Sequence, residues 1–147
     1  MSWLFSQVLV EEFVRGREFT VGILDGTALP VVEIRTKREF FDYQAKYTDG
    51  ATEEICPAPL EAMVAMRAKM FALRAHECLG CRDYSRVDLM FNEMTGQFFV
   101  LEVNTLPGMT ANSLLPKAAR AAGLEMPALC ARMVELALAR RLEAVAT

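Results

Sequence analysis

The sequence predicts an α+β fold, an antiparallel sheet with helices packed on one face. Three observations carry that reading. Strand signals arrive in adjacent groups rather than alternating one by one with helices. Short turn signals, "DGT" at 25–27 and "NEMTG" at 92–96, join neighbouring strands. Helical periodicity is confined to one long central segment and two segments at the C-terminal end. The resulting order is β-β-β-loop-α-β-β-loop-α-α, in which antiparallel pairs and segregated helices define the class.

"SQVLVEEFV" is rich in β-branched and apolar residues and reads as a first strand. "RGRE" reads as a turn, "FTVGIL" as a second strand and "LPVVEIRT" as a third, so the three form a meander. "KREFFDYQAKYTDGATEEICPAP" is long, mixed and charged. Irregular loops of that length are uncommon unless they serve a function. "PLEAMVAMRAKMFALRAHECLG" reads as a helix, with Pro59 in its first turn and Gly80 at its stop. Leu60, Met63, Val64, Met70, Phe71 and Cys78 recur at helical spacing and are its expected buried stripe. Arg67 and Arg74 interrupt that stripe, so its edge is expected to be partly exposed. "YSRVDLMF" and "QFFVLEVN" read as paired strands around "NEMTG". "LLPKAARAAG" is a short helix ended by Gly123. "MPALCARMVELALARRLEA" is a final one, with Leu129, Met133 and Leu136 on one face.

The chain of 147 residues is long enough for one domain with a core. Hydrophobic residues at 53% and charged residues at 24% describe a globular chain. A net charge of -3 argues against a general binder of nucleic-acid backbones. Charges interrupt every apolar run before it reaches membrane-spanning length. "MSWLFSQVLVEEF" lacks a basic leader and meets acid quickly, so a cytoplasmic location is expected. "CLGC" has the spacing of redox and zinc sites, but no second pair accompanies it. Free thiols in a reducing compartment are the favoured reading.

The chemically informative stretch is "FVLEVNTLPGMT", which sets Glu102 and Asn104 inside an apolar run. Side chains alternate along a strand, so these two share a face, and Phe99, Leu101 and Val103 should take the other. With Asn92 opposite Phe98, Asp88 falls opposite Glu102 and Arg86 opposite Asn104. Like charges directly opposite destabilise a sheet. Either a divalent cation reverses that sign, since Asp, Glu and Asn oxygens are what Mg²⁺ takes, or Asp88 pairs with Arg86 or a lysine on a wet face. On the residues alone the two readings stand level, and the spacing tips the balance only slightly toward metal. Glu11 and Glu18 read by composition as solvated acids, although Glu11 could lie beside a nucleotide base. Lys46, in the long loop beside Tyr47, reads as solvated or as a point charge for a phosphate. Ser113 opens a helix, where it could cap the N-terminus or help receive an anion.

Four blocks together resemble the C-terminal part of the ATP-grasp ligases, and within them the D-alanine–D-alanine ligases. They are "VEEFVRGREFTVGIL", "FDYQAKYT", "RVDLMF" and "LEVNTLPGMTANSLLPKAARAAG". All four in order are highly specific. The resemblance implies an ATP-dependent ligation of two D-alanines through an acyl phosphate, in peptidoglycan precursor synthesis. It implies that Asp88, Glu102 and Asn104 hold two Mg²⁺ ions, with Mn²⁺ acceptable and Glu102 bridging. Arg86 would stabilise developing charge, and the Gly108 backbone N–H would form part of an oxyanion hole. Glu11, Phe13 and Val14 would line the adenine pocket, Glu18 would bind ribose, and Lys46 would contact phosphate. Ser113 and Leu114 would receive the second D-alanine's carboxylate, and Tyr47 would close the loop over both substrates.

The resemblance covers one catalytic domain, residues 1–147, with the family's N-terminal domain and the first part of its central domain expected to be absent. A chain of that kind should expose an apolar face, with a homodimer or a complementing N-terminal half as expected partners. The alternatives are an ATP-grasp ligase for another carboxylate and amine, and an inactive or self-associating Mg-nucleotide-binding remnant.

Overall fold

The computed structural model describes residues 8–36 and 52–145. Its elements are strands β1 (Arg17–Leu24), β2 (Thr27–Ala28), β3 (Val32–Thr36) and β4 (Thr52–Ile55), helix α1 (Ala62–Cys78), strands β5 (Tyr84–Asn92) and β6 (Gln97–Asn104), and helices α2 (Leu114–Ala121) and α3 (Met126–Val145). One antiparallel sheet runs in the order β4-β3-β1-β5-β6, with β2 added beside β1. Asp25 and Gly26 turn β1 into β2 with φ of 51° and 67°. That pair of positive values is what a tight hairpin requires and what "DG" supplies.

The strands differ from the expected order in several places: Arg17 and Glu18 of the expected "RGRE" turn open β1, and Thr27–Ala28 forms the short β2 ahead of β3. Residues 8–15 form no strand, since none of the described residues pairs with them, and Val8, Leu9, Val10 and Phe13 stand exposed. Conversely, β4 lies inside the stretch expected to be loop. Its "TEEI" is short and acidic, but the edge of β3 is open, and Glu33 to Thr36 pair with Ile55 to Thr52. Lys46 and Tyr47 lie outside the described residues.

Alternation along β1 divides the core. Phe19, Val21 and Ile23 face α1 with Val87, Leu89, Phe91 and Phe98. Leu24, Val32 and Leu115 belong to a second cluster with Leu129, against α2 and α3. The sheet with helices packed on it is as expected, but the helices divide between its two faces rather than sharing one. α1 meets the sheet through Ala68, Ala72 and His76, spaced four apart. The large residues of its expected stripe sit at the margin: Leu60, Val64 and Phe71 pack half-buried, and Met63, Met70 and Cys78 are exposed. A helix lying close on a sheet needs small side chains at the line of contact, so size outranks hydrophobicity there. His76 is buried against Ser85, with Nδ1 2.7 Å from the hydroxyl. Burial holds its pKa below the ordinary histidine value.

β1 approaches α2 at Gly22, where a Cβ would meet Leu115 Cδ1 at 2.5 Å. Both α1 and α2 end on a glycine at positive φ, Gly80 and Gly123. There Cys81 N–H donates to His76 O and Leu124 N–H to Ala119 O, the bonds that close a helix C-terminus. α3 is fastened to the sheet's turns by ion pairs from Arg132 to Asp25 and from Arg140 to Asp83.

Candidate active site

The β5–β6 hairpin builds the centre of the site. Near its turn the ladder pairs Asn92 with Gln97 and Met90 with Phe99. A bulge between Asp88 and Leu89 then shifts the register, so that Asp88 faces Glu102 and Arg86 faces Asn104. The expected partners at the acidic end are therefore present. The expected Asn92–Phe98 pairing is not, because the turn closes one residue earlier and the bulge absorbs the difference. The bulge also changes which residues share the acidic face. Phe99 pairs with Met90 and so lies on the face of Asp88, and Leu101 lines a cavity with Glu102. Both were expected on the opposite face with Val103, and one extra residue reverses every assignment N-terminal to it.

Asp88 is 8% exposed and heavily bonded. Arg86 Nε donates to Oδ1 at 2.9 Å and the same guanidinium donates to Oδ2 at 2.7 Å. Thr20, its cross-strand neighbour on β1, donates its hydroxyl to Oδ1 at 2.6 Å. Arg86 also lies 3.8 Å from Glu102 Oε1, to which Asn104 Nδ2 donates at 2.8 Å. Burial works against the charge on Arg86, but its bonds to Asp88 and the fields of Asp88, Glu102 and Glu18 outweigh it, so the pKa is held above the usual arginine value. The Arg86–Asp88 ion pair weighed from the sequence thus forms, and its positive charge offsets the facing carboxylates.

Among the described residues no group of three His, Cys, Asp or Glu converges as a metal cage. The set at this hairpin is two carboxylates and one carboxamide. Its hard oxygen donors, with room for water and phosphate oxygens, fit Mg²⁺ or Mn²⁺ rather than a soft metal.

Two cavities meet at this hairpin and share Glu18 and Asp88 in their walls. One, of about 400 Å³, is lined by Glu11, Phe13, Val14, Met90, Leu101 and Glu102. The other, of about 420 Å³, is lined by Arg86, Gly108, Asn112, Ser113, Leu114 and Glu54. Ser113 precedes α2 but makes no side-chain cap. Its Oγ instead accepts from Thr110 N–H at 3.0 Å and holds the loop. A Cβ at Gly108 would meet that same Oγ at 2.8 Å, so a side chain there would displace the Ser113 hydroxyl. Lys117 on α2 pairs with Glu54 on β4, which ties the second cavity's two walls together.

The structure therefore gathers Glu11, Phe13, Val14, Glu18, Arg86, Asp88, Glu102, Gly108, Ser113 and Leu114 around two joined cavities, with Asn104 bonded to Glu102. Thr20 and Glu54 were missed. Thr20 was findable, since it lies two residues after Glu18 and so shares its face. Glu54 carried no signal, because its partner Lys117 lies 63 positions away.

Comparison with known proteins gives a consistent picture. Residues 4–135 match the model of a family described as D-ala D-ala ligase C-terminus. A D-alanine–D-alanine ligase of Sphingopyxis alaskensis is 51% identical over 136 residues, covering 91% of this chain and 44% of the relative. One of Zymomonas mobilis is 47% identical over 137 residues, covering 92% and 43%. The chain thus spans less than half the length of the curated relatives it matches. Among solved structures, the Bacillus anthracis D-alanine–D-alanine ligase complexed with ATP superposes with a TM-score of 0.77 at 43% identity, covering 91% of this chain and 43% of that one. The VanG D-Ala:D-Ser ligase of Enterococcus faecalis gives 0.71 at 30% identity, covering 85% and 37%.

Proposed function

The chain belongs to the D-ala D-ala ligase C-terminus family, and on that premise we propose that it forms the nucleotide and second-substrate side of an ATP-dependent ligase joining two D-alanines. The supporting observation is the junction of the two cavities at Glu18 and Asp88, beside Arg86 and Glu102. A nucleotide fits the first cavity, with its base along Glu11 to Val14 and its ribose at Glu18. The second D-alanine fits the other, its carboxylate at Ser113 and Leu114, where α2 begins and helix N–H groups favour an anion.

In the reaction, a carboxylate oxygen of the first D-alanine attacks the γ-phosphorus of ATP and ADP leaves. The amine of the second D-alanine then attacks the acyl carbon, inorganic phosphate leaves and the nitrogen gives up a proton. Asp88, Glu102 and Asn104 would hold Mg²⁺, which when bound would supply positive charge to neutralise phosphate oxygens. Arg86, kept charged by its acidic neighbours, meets the charge that develops on the transferring group. The Gly108 N–H donates to the oxygen of the tetrahedral centre. Lys46 contacts phosphate, and Tyr47 closes the loop that excludes water. The product serves peptidoglycan precursor synthesis, and use of ATP together with four free cysteines supports a cytoplasmic location. A complementing N-terminal half or a second copy supplies the remaining contacts.

Calorimetric titration of ATP and Mg²⁺ into the purified chain tests this reading. Heat that requires Mg²⁺ and disappears in both Asp88→Ala and Glu102→Ala is expected. Equal binding by wild type and both variants would remove the metal from this hairpin.

A further inference from the structure

The hydrogen bonds on Asp88 are unequally shared between its two oxygens. A carboxylate has about four lone-pair directions, two on each oxygen. Oδ1 takes Arg86 Nε at 2.9 Å and the Thr20 hydroxyl at 2.6 Å, which fills both of its directions. Among the described residues Oδ2 takes Arg86 alone, at 2.7 Å, which leaves one direction open. We infer that Thr20 is a positioning residue: its hydroxyl closes Oδ1 of Asp88, fixes the plane of the carboxylate, and leaves Oδ2 as the one oxygen through which this aspartate binds a divalent cation.

Three features make Thr20 suited to this. It is 1% exposed, so water does not compete for its hydroxyl. It stands directly across the ladder from Asp88, so the contact is set by the β1–β5 pairing rather than by a loop. Its hydroxyl sits on Cβ, one torsion from the strand backbone, so few rotamers compete with the bonded one. The Val87 carbonyl lies 3.2 Å from the same hydroxyl. The single hydroxyl hydrogen goes to the charged and nearer acceptor, since charge-assisted bonds are the stronger ones.

The inference rests on Asp88 being a metal ligand, and the test separates the two. Mn²⁺ is titrated into the 147-residue chain and followed by electron paramagnetic resonance of the free ion, first without ATP and then with ATP against a protein-free blank of the same Mn²⁺ and ATP. Wild type, Thr20→Ser and Thr20→Val are compared, with thermal melting of each as the control for folding. Removing a group that orients a metal ligand weakens metal binding by about 10- to 100-fold. Thr20→Val, which keeps the shape and loses the hydroxyl, is expected to weaken Mn²⁺ binding by about 10-fold or more. Thr20→Ser, which keeps the hydroxyl and loses the methyl, is expected to bind as wild type does. If Thr20→Val binds Mn²⁺ as wild type does, or if Thr20→Ser weakens binding as much as Thr20→Val, the positioning role is overturned and the metal site stands. If wild type takes up no Mn²⁺, both fall. An unfolded Thr20→Val leaves the decision to Thr20→Ser, for which wild-type affinity supports the hydroxyl and loss of affinity in a folded chain overturns it.

Discussion

Gly22→Ala should destabilise the chain through one contact, and a second substitution should reverse much of the loss. Gly22 is buried in β1, opposite Arg86 on β5. A methyl there would sit 2.5 Å from Leu115 Cδ1 and 3.0 Å from Leu29 Cδ1. The ends of leucine side chains move easily on a surface. Here Leu115 is 1% exposed and Leu29 is 7% exposed, so neither has free space to enter. Overpacking of this kind costs about 1–3 kcal/mol, which for a chain of this size lowers the melting temperature by about 2–4 °C per kcal/mol. Leu115→Ala alone leaves a cavity and should cost about 2–5 kcal/mol. In the double variant the new methyl occupies part of that cavity. The combined loss should then fall short of the sum by about 1 kcal/mol or more, within the range measured for side chains in contact. Urea denaturation of the four proteins of the cycle, read by circular dichroism, measures this directly. Strict additivity would refute the argument that Gly22 sets the distance of α2 from the sheet. The same displacement carries Ser113 and Leu114, so Gly22→Ala should also weaken ligand binding in the second cavity.

Two ionisable groups give further expectations. Burial raises the pKa of Glu33, but hydrogen bonds and charge from Arg17 and Arg35 outweigh it, so the folded value lies below the usual 4.5. Its contribution is therefore present above the unfolded pKa and is lost as pH falls through the folded one. Arg17 and Arg35 are 27% and 48% exposed, so solvent screening reduces the effect, and Glu33→Gln should cost about 1–2 kcal/mol at pH 7. The gap from wild type should close below about pH 4 in denaturation experiments. A gap that persists unchanged at low pH would show that packing rather than charge is at stake. His76 is the chain's one histidine, so its ring signals in a nuclear magnetic resonance titration need no assignment. They should titrate below 6.5, because burial disfavours the imidazolium. The unfolded chain then takes up a proton first, and stability should fall as pH drops below about 6.5. Titration at or above that value would contradict burial against Ser85.

Much of the candidate site was legible because it lies within one local unit. Arg86, Asp88, Glu102 and Asn104 sit on two strands joined by a four-residue turn, so alternation puts each pair on one face of its own strand, and the bulge brings the two pairs opposite each other. Gly108 and Ser113 follow within the same block of sequence. The bulge was not legible, since nothing in "FVLEVN" marks which residue goes unpaired. It decided that Phe99 and Leu101 would lie on the acidic side while Val103 kept the opposite face. The stripe on α1 was misjudged for a related reason. Periodicity identifies a face but not how closely that face approaches its neighbour, and Ala68, Ala72 and His76 lie at the contact because the sheet is near.

The sequence by itself determined the elements whose causes are local: the "DG" turn, the glycine stops at Gly80 and Gly123, the central and final helices, and the acidic hairpin. Each depends on backbone preferences or on alternation over a few residues. Tertiary structure alone decided that residues 8–15 would pair with no strand among the described residues and that "TEEI" would pair with β3. It also divided the helices between the two faces, paired Lys117 with Glu54 and set Thr20 against Asp88. Strand pairing and buried polar contacts are bonds to distant residues, and their free energy is defined only once both partners are in place.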